Sequence, residues 1–444
     1  MSPELIGARM KRYGGLDHAA GRTQFVDDLR APGMLAAKVL RSPVAKGDLL
    51  HIDTSAARGL PGVAAVITAA DVPHNIYGPG RLADQPVLAQ AIRFRGEPLA
   101  AVAAIDEDTA REALELIRID IREQPAVFDP LEAMADGAPK VRPEGNLFLF
   151  GPHPFMYAGE KPCREICSGS LEQGFASADR IIEGEYRQAS VEHAALEPQC
   201  CLAVPAPDGS LTVHTMSQHP WLHRMELCAV LQMAPHRVRS VSTAVGGGFG
   251  GKSDMHADPV AALLALKTGR PVKWRWTRQE ELLYSTHRGA WRIRFRDAVT
   301  NDGRILARDV RSIRDGGAYA CYNYGCIESH CSTVAGPYAI ANVRIQGYLV
   351  YTNKPPAMTM RGFGVNEAAY ACESQMNRIA AELGMDPLEL RLINAYRNGD
   401  IMPNGHRLES VALVEVLQET ARAAGIELPA HLQAMSSQAR TGDL

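Results

Sequence analysis

The sequence predicts an α+β chain in two parts: a small mixed α/β domain over 14–125 and a larger mixed α/β domain over 170–425. Three observations carry that prediction. At 444 residues, with 46% hydrophobic and 22% charged side chains, the chain is average in composition and too long for one ordinary core. The hydrophobic period changes near residue 117, where a helical spacing gives way to strict alternation. Between 126 and 169 prolines and glycines accumulate with little sustained periodicity, as expected of a linker.

The first residues hold Arg9, Lys11 and Arg12 but no apolar run long enough for a signal peptide, and no later segment approaches a membrane span. A cytoplasmic location is therefore expected. The formal charge of −3 and the absence of any long like-charged run argue against a nucleic-acid or membrane partner. Nine cysteines are too sparse for a disulfide scaffold, and their odd number leaves at least one unpaired.

In the first domain, the apolar run 99–105 reads as a buried strand, and Ala110, Ala113, Leu114 and Ile117 follow helical spacing. Ile117, Ile119 and Ile121 then alternate with Arg118, Asp120 and Arg122, the signature of a strand with one wet face. A linker as long as 126–169 is expected to wrap a surface or a partner. In the second domain, 181–189, 211–216 and 238–245 read as strands. Asp258-Pro259 reads as an N-cap with proline at the first helical position, opening a helix that stops at Gly269. Cys372, Met376, Ile379, Ala380 and Leu383 mark a longer helix ended by Gly384, and Asp386-Pro387 opens the next. The remainder, 426–444, is a C-terminal tail whose last polar residues are expected to fray.

Gly246-Gly-Gly-Phe-Gly-Gly251, followed by Lys252 and Ser253, satisfies the phosphate-loop pattern G-x-x-x-x-G-K-S/T. That reading, a nucleotide hydrolase, needs a helix beginning at the lysine so that its N-terminus faces the phosphates. The next helix start is Asp258-Pro259, several residues late. A turn that merely needs positive φ is the bland alternative, but five glycines around one aromatic exceed what a turn requires. The third reading is a loop that brings bare backbone N–H groups to a ligand, with Phe249 beside it.

Val245 to Lys252 resembles the loop of the xanthine-oxidase-type molybdenum hydroxylases. The resemblance implies that Gly247, Gly248, Phe249, Gly250 and Gly251 bind the cofactor, with Phe249 and Gly250 next to the metal's oxo ligand. Tyr351 to Gly364 resembles the family's Arg-Gly-Phe-Gly turn; it implies cofactor contacts for Met360, Arg361 and Gly362, a catalytic role for Arg361 beside the metal, and stacking of Phe363 on the substrate ring. Thr215 to Pro220 resembles the segment whose glutamine bonds an oxo ligand, which implies a catalytic role for Gln218, an amide that donates without adding charge. The resemblance implies no direct metal ligand among these residues: Gln218, Phe249, Gly250 and Arg361 would stand around the metal's own ligands. Further matches run in order through Tyr13-Gly14-Gly15, Arg41-Ser42-Pro43, Phe94 to Pro98, Glu192-His193 to Glu197-Pro198 and Gly336-Pro337-Tyr338, so the resemblance covers nearly the whole chain to about residue 425. It implies a hammerhead-like first domain and a molybdopterin-binding second domain, the first half of the family's molybdenum-binding region.

Undivided members continue for several hundred residues, through a glutamate that acts as base. Hydroxylation needs such a base to take a proton from the water-derived oxygen that attacks an electron-poor carbon. No glutamate here is assignable to it. The chain therefore resembles the larger molybdenum-binding subunit of members, nicotinate dehydrogenase among them, that divide the region between two polypeptides. The resemblance implies a second molybdopterin-binding subunit carrying the glutamate, molybdopterin as its cytosine dinucleotide, and 2Fe-2S clusters and FAD on further subunits. Cys163 and Cys167, and the evenly spaced Cys321, Cys326 and Cys331, do not match the cluster-binding spacing and read as packing thiols.

Where purine and nicotinate enzymes carry an acidic residue after Gly-Gly-Lys and an arginine before Gly-Pro-Tyr, this chain has Ser253 and Ser329. Both are taken as substrate-facing, with Glu328 and His330 as neighbours able to substitute. Loss of the cation points to a neutral aromatic or heterocyclic substrate of the N-heteroaromatic class. Val365-Asn366-Glu367 departs from the family's proline and glutamine, and Met360 stands where copper-using carbon monoxide dehydrogenases place a cysteine. A noncatalytic binding or assembly subunit is the alternative from a different class.

Overall fold

The computed structural model describes residues 7–78, 83–151 and 159–438. Most of the predicted frayed end, 439–444, lies outside the described residues. Two sheets organise the chain. A seven-stranded sheet runs in the order Val238–Ser242, Leu211–Thr215, Cys200–Pro205, Val272–Arg275, Leu35–Arg41, Pro98–Ala104, Val63–Thr68. The two predicted domains thus share one sheet, joined where Leu35–Arg41 pairs in parallel with Val272–Arg275.

The reason lies in the strand predicted at 99–105, which forms over Pro98–Ala104 and is buried on both faces. Ala100, Val102 and Ala104 pack with Ala110 and Ala113 of the helix Glu107–Glu115. Ala101 and Ala103 face the other way, into a core with Val260, Leu264 and Trp274 from the second domain. Period-2 alternation of small residues lets helices approach on both sides. The wet strand forms as Arg118–Glu123 in a separate three-stranded sheet.

The five-stranded sheet has the order Arg164–Ser168, Asn342–Tyr351, Ile305–Gly317, Trp291–Val299, Arg180–Gln188. The predicted linker is more ordered than its composition suggests. It contains a short helix, Pro130–Ala133, capped by Asp129, and the edge strand Arg164–Ser168. Val127, Val141, Phe148 and Phe150 enter the core beneath this sheet, so the segment wraps the chain's own surface. A five-residue edge strand with no fully buried position leaves too weak a periodic signal to read.

The helix Val365–Leu383 ends at Gly384 in the left-handed region, and Asp386 caps Pro387–Asn394, both as predicted. The helix at 258 differs by one residue: Asp258 is its first helical residue and Ala257 its cap. Asp258 instead turns its buried carboxylate sideways to His223, at 3.6 Å. Among the described residues no helix is long and apolar enough to cross a membrane. Cys321, Cys326 and Cys331 are buried separately in packed surroundings, and burial raises each thiol's pKa.

Glu97, in the Phe94 to Pro98 segment, is 1% exposed, accepts hydrogen bonds from the Arg93 N–H at 2.6 Å and the Tyr319 hydroxyl, and so fastens the first domain to the second. Burial lifts its pKa to about 7 against the opposing effect of Tyr319 and Arg93. The folded chain then holds this proton more tightly than the unfolded one. Its contribution is complete below the usual carboxylate range, and is lost as the pH rises through about 7. Glu97→Gln, which mimics the protonated group, is expected to gain on the wild type by roughly 2 kcal/mol between pH 5 and 7.5 in denaturant unfolding. A gap that does not change with pH would show that the carboxyl stays ionised.

Candidate functional site

The glycine loop leaves the strand Val238–Ser242 and reaches the helix Asp258–Thr268 without any helical turn at Lys252. Lys252 is 2% exposed and its Nζ lies 2.8 Å from Glu197 Oε2. The phosphate-loop reading is overturned on both counts: the ammonium is already paired beneath the loop, and no helix N-terminus faces it.

Close packing explains the glycines. A Cβ at Gly246 would lie 2.6 Å from Glu197 Cβ, at Gly248 2.4 Å from Gln218 Oε1, at Gly250 2.5 Å from the Thr359 carbonyl, and at Gly251 2.7 Å from His193 Nδ1. Other segments of the chain therefore press against this loop. Glu197 Oε2 accepts the Gly246 N–H at 2.7 Å, and Gln218 Oε1 accepts those of Gly250 and Lys252 at 3.0 and 3.3 Å. With its oxygen so engaged, the Gln218 side chain, which is exposed, keeps its NH2 group as a donor.

The Arg-Gly-Phe-Gly turn docks directly on the loop. Arg361 N–H donates to the Phe249 carbonyl at 2.8 Å, Thr359 Oγ1 donates to the Gly250 carbonyl at 3.1 Å, and the Arg361 guanidinium stands 5.4 Å from the Phe249 ring centroid. His193 Nε2 bonds the Thr359 carbonyl at 2.7 Å, and burial, its largest influence, depresses its pKa. Below the turn the buried pair Arg288–Glu367, at 2.7 Å, holds Arg361 from beneath: Arg288 donates to the Arg361 carbonyl at 2.7 Å and meets Met360 Sδ at 3.3 Å. Phe249 (φ 54°) and Phe363 (φ 51°) both occupy the left-handed region, an unfavourable place for an aromatic residue that the surrounding contacts hold.

One open face thus gathers Gln218, Phe249, Gly250 and Arg361. Among the described residues the N–H groups of Gly247, Gly248 and Phe249 meet no acceptor in the chain. Backbone donors, an amide and a guanidinium suit an oxygen-rich anionic group such as a pterin phosphate or a metal's oxygen ligands.

Phe363 and Ser329 share a neighbouring cleft of about 680 Å³ between the edge strand and the helix Asn323–Thr333. Ser253 is not in that wall. It is 5% exposed beneath the loop, its N–H on the Gly250 carbonyl at 3.1 Å and its own carbonyl on His223 at 3.0 Å. His330 does not face the cleft as a cation: it stacks on Trp291 at 4.1 Å, bonds Ser312 and the Gly364 carbonyl, and burial lowers its pKa to about 3. Glu328 does line the cleft, 2.8 Å from Arg164 Nε. Sequence reading missed Arg164 because it lies in the supposed linker. It also gave no role to His193, Glu197, Arg288 or Thr359, although the spacing of Glu192-His193 and Glu197 was itself a family match.

Known protein families match the chain in two stretches. A model of the molybdopterin cofactor-binding domain matches residues 156–395, and one of the aldehyde oxidase and xanthine dehydrogenase a/b hammerhead domain matches residues 20–125. The chain is 34% identical to a probable xanthine dehydrogenase subunit of Bacillus subtilis (strain 168), over 93% of its own length and 55% of the relative's. It is 32% identical to the nicotinate dehydrogenase large molybdopterin subunit of Eubacterium barkeri, covering 96% of this chain and 97% of that one. It superimposes on the aldehyde oxidoreductase from Desulfovibrio gigas with a TM-score of 0.85 at 29% identity, over 93% of this chain and 46% of that one. The chain therefore spans about half the length of two of these three relatives and nearly all of the third.

Proposed function

Because this chain belongs to the xanthine dehydrogenase and aldehyde oxidase family, as an oxidoreductase subunit with a molybdopterin cofactor-binding domain, we propose that it supplies one half of the active site of a hydroxylase acting on an electron-poor carbon of an N-heteroaromatic substrate. The observation that carries this reading is the hydrogen bond from Arg361 N–H to the Phe249 carbonyl, which joins the two motifs into one face of free donors. When bound, molybdopterin supplies the metal at which water-derived oxygen is transferred and electrons are collected. This chain's residues hold and orient it. Gly247, Gly248, Gly250, Gly251 and Gly362 let the loop and the turn pack closely enough to present their backbone to it, the Gln218 amide donates without charge, and Arg361 places a positive charge on the same face. Phe363 presents a ring for substrate stacking.

The base is proposed to come from a second molybdopterin-binding subunit. Three glutamates near the face are already committed: Glu197 to Lys252, Glu367 to Arg288, and Glu192 to Ser285 Oγ at 3.2 Å and to the Ala194 N–H. The cytosine dinucleotide form of the cofactor, a 2Fe-2S subunit and an FAD subunit belong to the same proposal. Affinity purification of the tagged chain from its host, with mass spectrometry and metal analysis, is expected to yield molybdopterin, near-stoichiometric molybdenum and these partners. A stable complex free of molybdenum would favour a noncatalytic assembly subunit. The isolated chain is expected to show no turnover, so hydroxylation of any heteroaromatic by it alone would overturn the divided site.

A further inference from the structure

The helix Pro220–Leu231 begins directly after Gln218 and His219 and carries His223 into the floor beneath the glycine loop, where it is 2% exposed. Both ring nitrogens face the chain. Nε2 lies 3.0 Å from the Ser253 carbonyl, which can only accept, so Nε2 carries a proton. Nδ1 lies 3.6 Å from Asp258 Oδ2, beyond a hydrogen bond, and has no hydrogen-bond partner among the described residues. A neutral ring in that tautomer would point a lone pair at a buried carboxylate, whereas a second proton turns the same contact into an ion pair. The geometry therefore favours the imidazolium. Burial opposes this charge, but Asp258 and the Ser253 carbonyl outweigh it and raise the His223 pKa above the ordinary imidazole value. Burial works against the Asp258 carboxylate too, yet His223 and the Thr215 hydroxyl hold its pKa below the usual range. The other groups around the pair do not replace it. Burial keeps the Asp254 carboxyl and the Cys201 thiol neutral, lifts Glu226, on the same helix as His223, to about 7, and depresses His219 and His256.

Ser253 stands where the chain leaves the glycine loop. Gln218 N–H holds the Lys252 carbonyl at 2.9 Å, and His223 holds the next carbonyl along. We propose that His223 is a proton-operated latch on the exit of the glycine loop, tying Ser253 to the helix Asp258–Thr268 while it is an imidazolium and loosening that tie when Nδ1 gives up its proton. Deprotonation turns a charge-assisted bond to Ser253 into a neutral one and sets a lone pair against the Asp258 carboxylate. Because the His223 pKa is raised in the fold, the latch is complete below the ordinary imidazole value and is lost as the pH rises through the folded one. Its effect on cofactor retention rests on the functional reading above, and the latch itself does not.

The test is hydrogen–deuterium exchange of the assembled complex, corrected for the chemical exchange rate at each pH, with its molybdenum content recorded. Between about pH 6 and 9 the segment 250–257 is expected to lose about tenfold in protection, the worth of one hydrogen bond to a charged group, while the helix Val365–Leu383 keeps its own. His223→Gln keeps a neutral donor for the Ser253 carbonyl and should hold the segment at its alkaline level of protection whatever the pH. Asp258→Asn should move the loss to lower pH, because a neutral amide no longer favours the imidazolium. Glu226→Gln should leave the loss in place, shifted by less than Asp258→Asn shifts it. Molybdenum left after dialysis is expected to follow the same profile. A wild-type profile without the loss, or the same loss in His223→Gln, would overturn the latch. Flat molybdenum retention beside a pH-dependent loop would overturn its link to the cofactor. The same loss in a complex that holds no molybdenum would overturn the hydroxylase reading and leave the latch standing.

Discussion

Arg308→Ala is expected to destabilise the chain by about 3–5 kcal/mol, the cost of breaking a buried ion pair by removing one partner. Arg308 and Asp297 are both fully buried between neighbouring strands of the five-stranded sheet, with Nε 2.7 Å from Asp297 Oδ1. Arg308 also donates to the Ala335 carbonyl at 2.7 Å, and Gln375 Nε2 holds the other Asp297 oxygen at 2.8 Å. Truncation leaves the Asp297 charge in the core with one amide donor, and opens a void beside Phe295 and Met376. The double change Arg308→Met with Asp297→Leu is expected to recover most of the loss, because apolar residues of similar volume often replace a buried pair at little cost. Chemical denaturation of the wild type and both variants checks both statements. A single variant within about 1 kcal/mol of the wild type would show that water reaches Asp297.

Gly250→Ala is expected to lower the molybdenum content of the purified complex by at least about tenfold, a loss equivalent to about 1.4 kcal/mol in cofactor affinity. Gly250 has φ 109°, and an added Cβ would lie 2.5 Å from the Thr359 carbonyl oxygen and 2.9 Å from Thr359 Oγ1. The methyl group must push apart the loop and the turn that carries Arg361, and it breaks the Thr359 to Gly250 hydrogen bond. Backbone strain of about 1–3 kcal/mol adds to the clash. Gly384→Ala is the control. It also sits at positive φ, 68°, but its Cβ would meet nothing, and it ends a helix away from the loop. That variant is expected to lose the strain component alone, about 1–3 kcal/mol, while keeping its molybdenum. If both variants lose molybdenum equally, the effect is one of global stability.

Much of the fold was legible because its signals are local. The alternation at 117–122, the glycine stop at Gly384 and the Asp386-Pro387 start each depend on a few adjacent residues, and each formed as read. Asp258 shows where such reading fails. Its pattern is that of a cap, but a buried histidine from another helix takes the carboxylate, and no local rule contains that partner. The edge strand Arg164–Ser168 failed for a similar reason, since a short half-buried strand is defined by the neighbour it pairs with.

By itself the sequence determined the family, the glycine loop, the Arg-Gly-Phe-Gly turn and the residues proposed to meet the cofactor, because those motifs are contiguous and their residue types are dictated by close backbone approach. Only the tertiary structure decided that Lys252 is a buried tie to Glu197, that the two motifs share one hydrogen-bonded face, and that Ser253 lies under the loop while Ser329 opens on the cleft. Arg164 reaches its partner Glu328 from a segment 164 residues upstream. Charge complementarity acts across space between elements that packing brings together, and spacing along the chain does not record it.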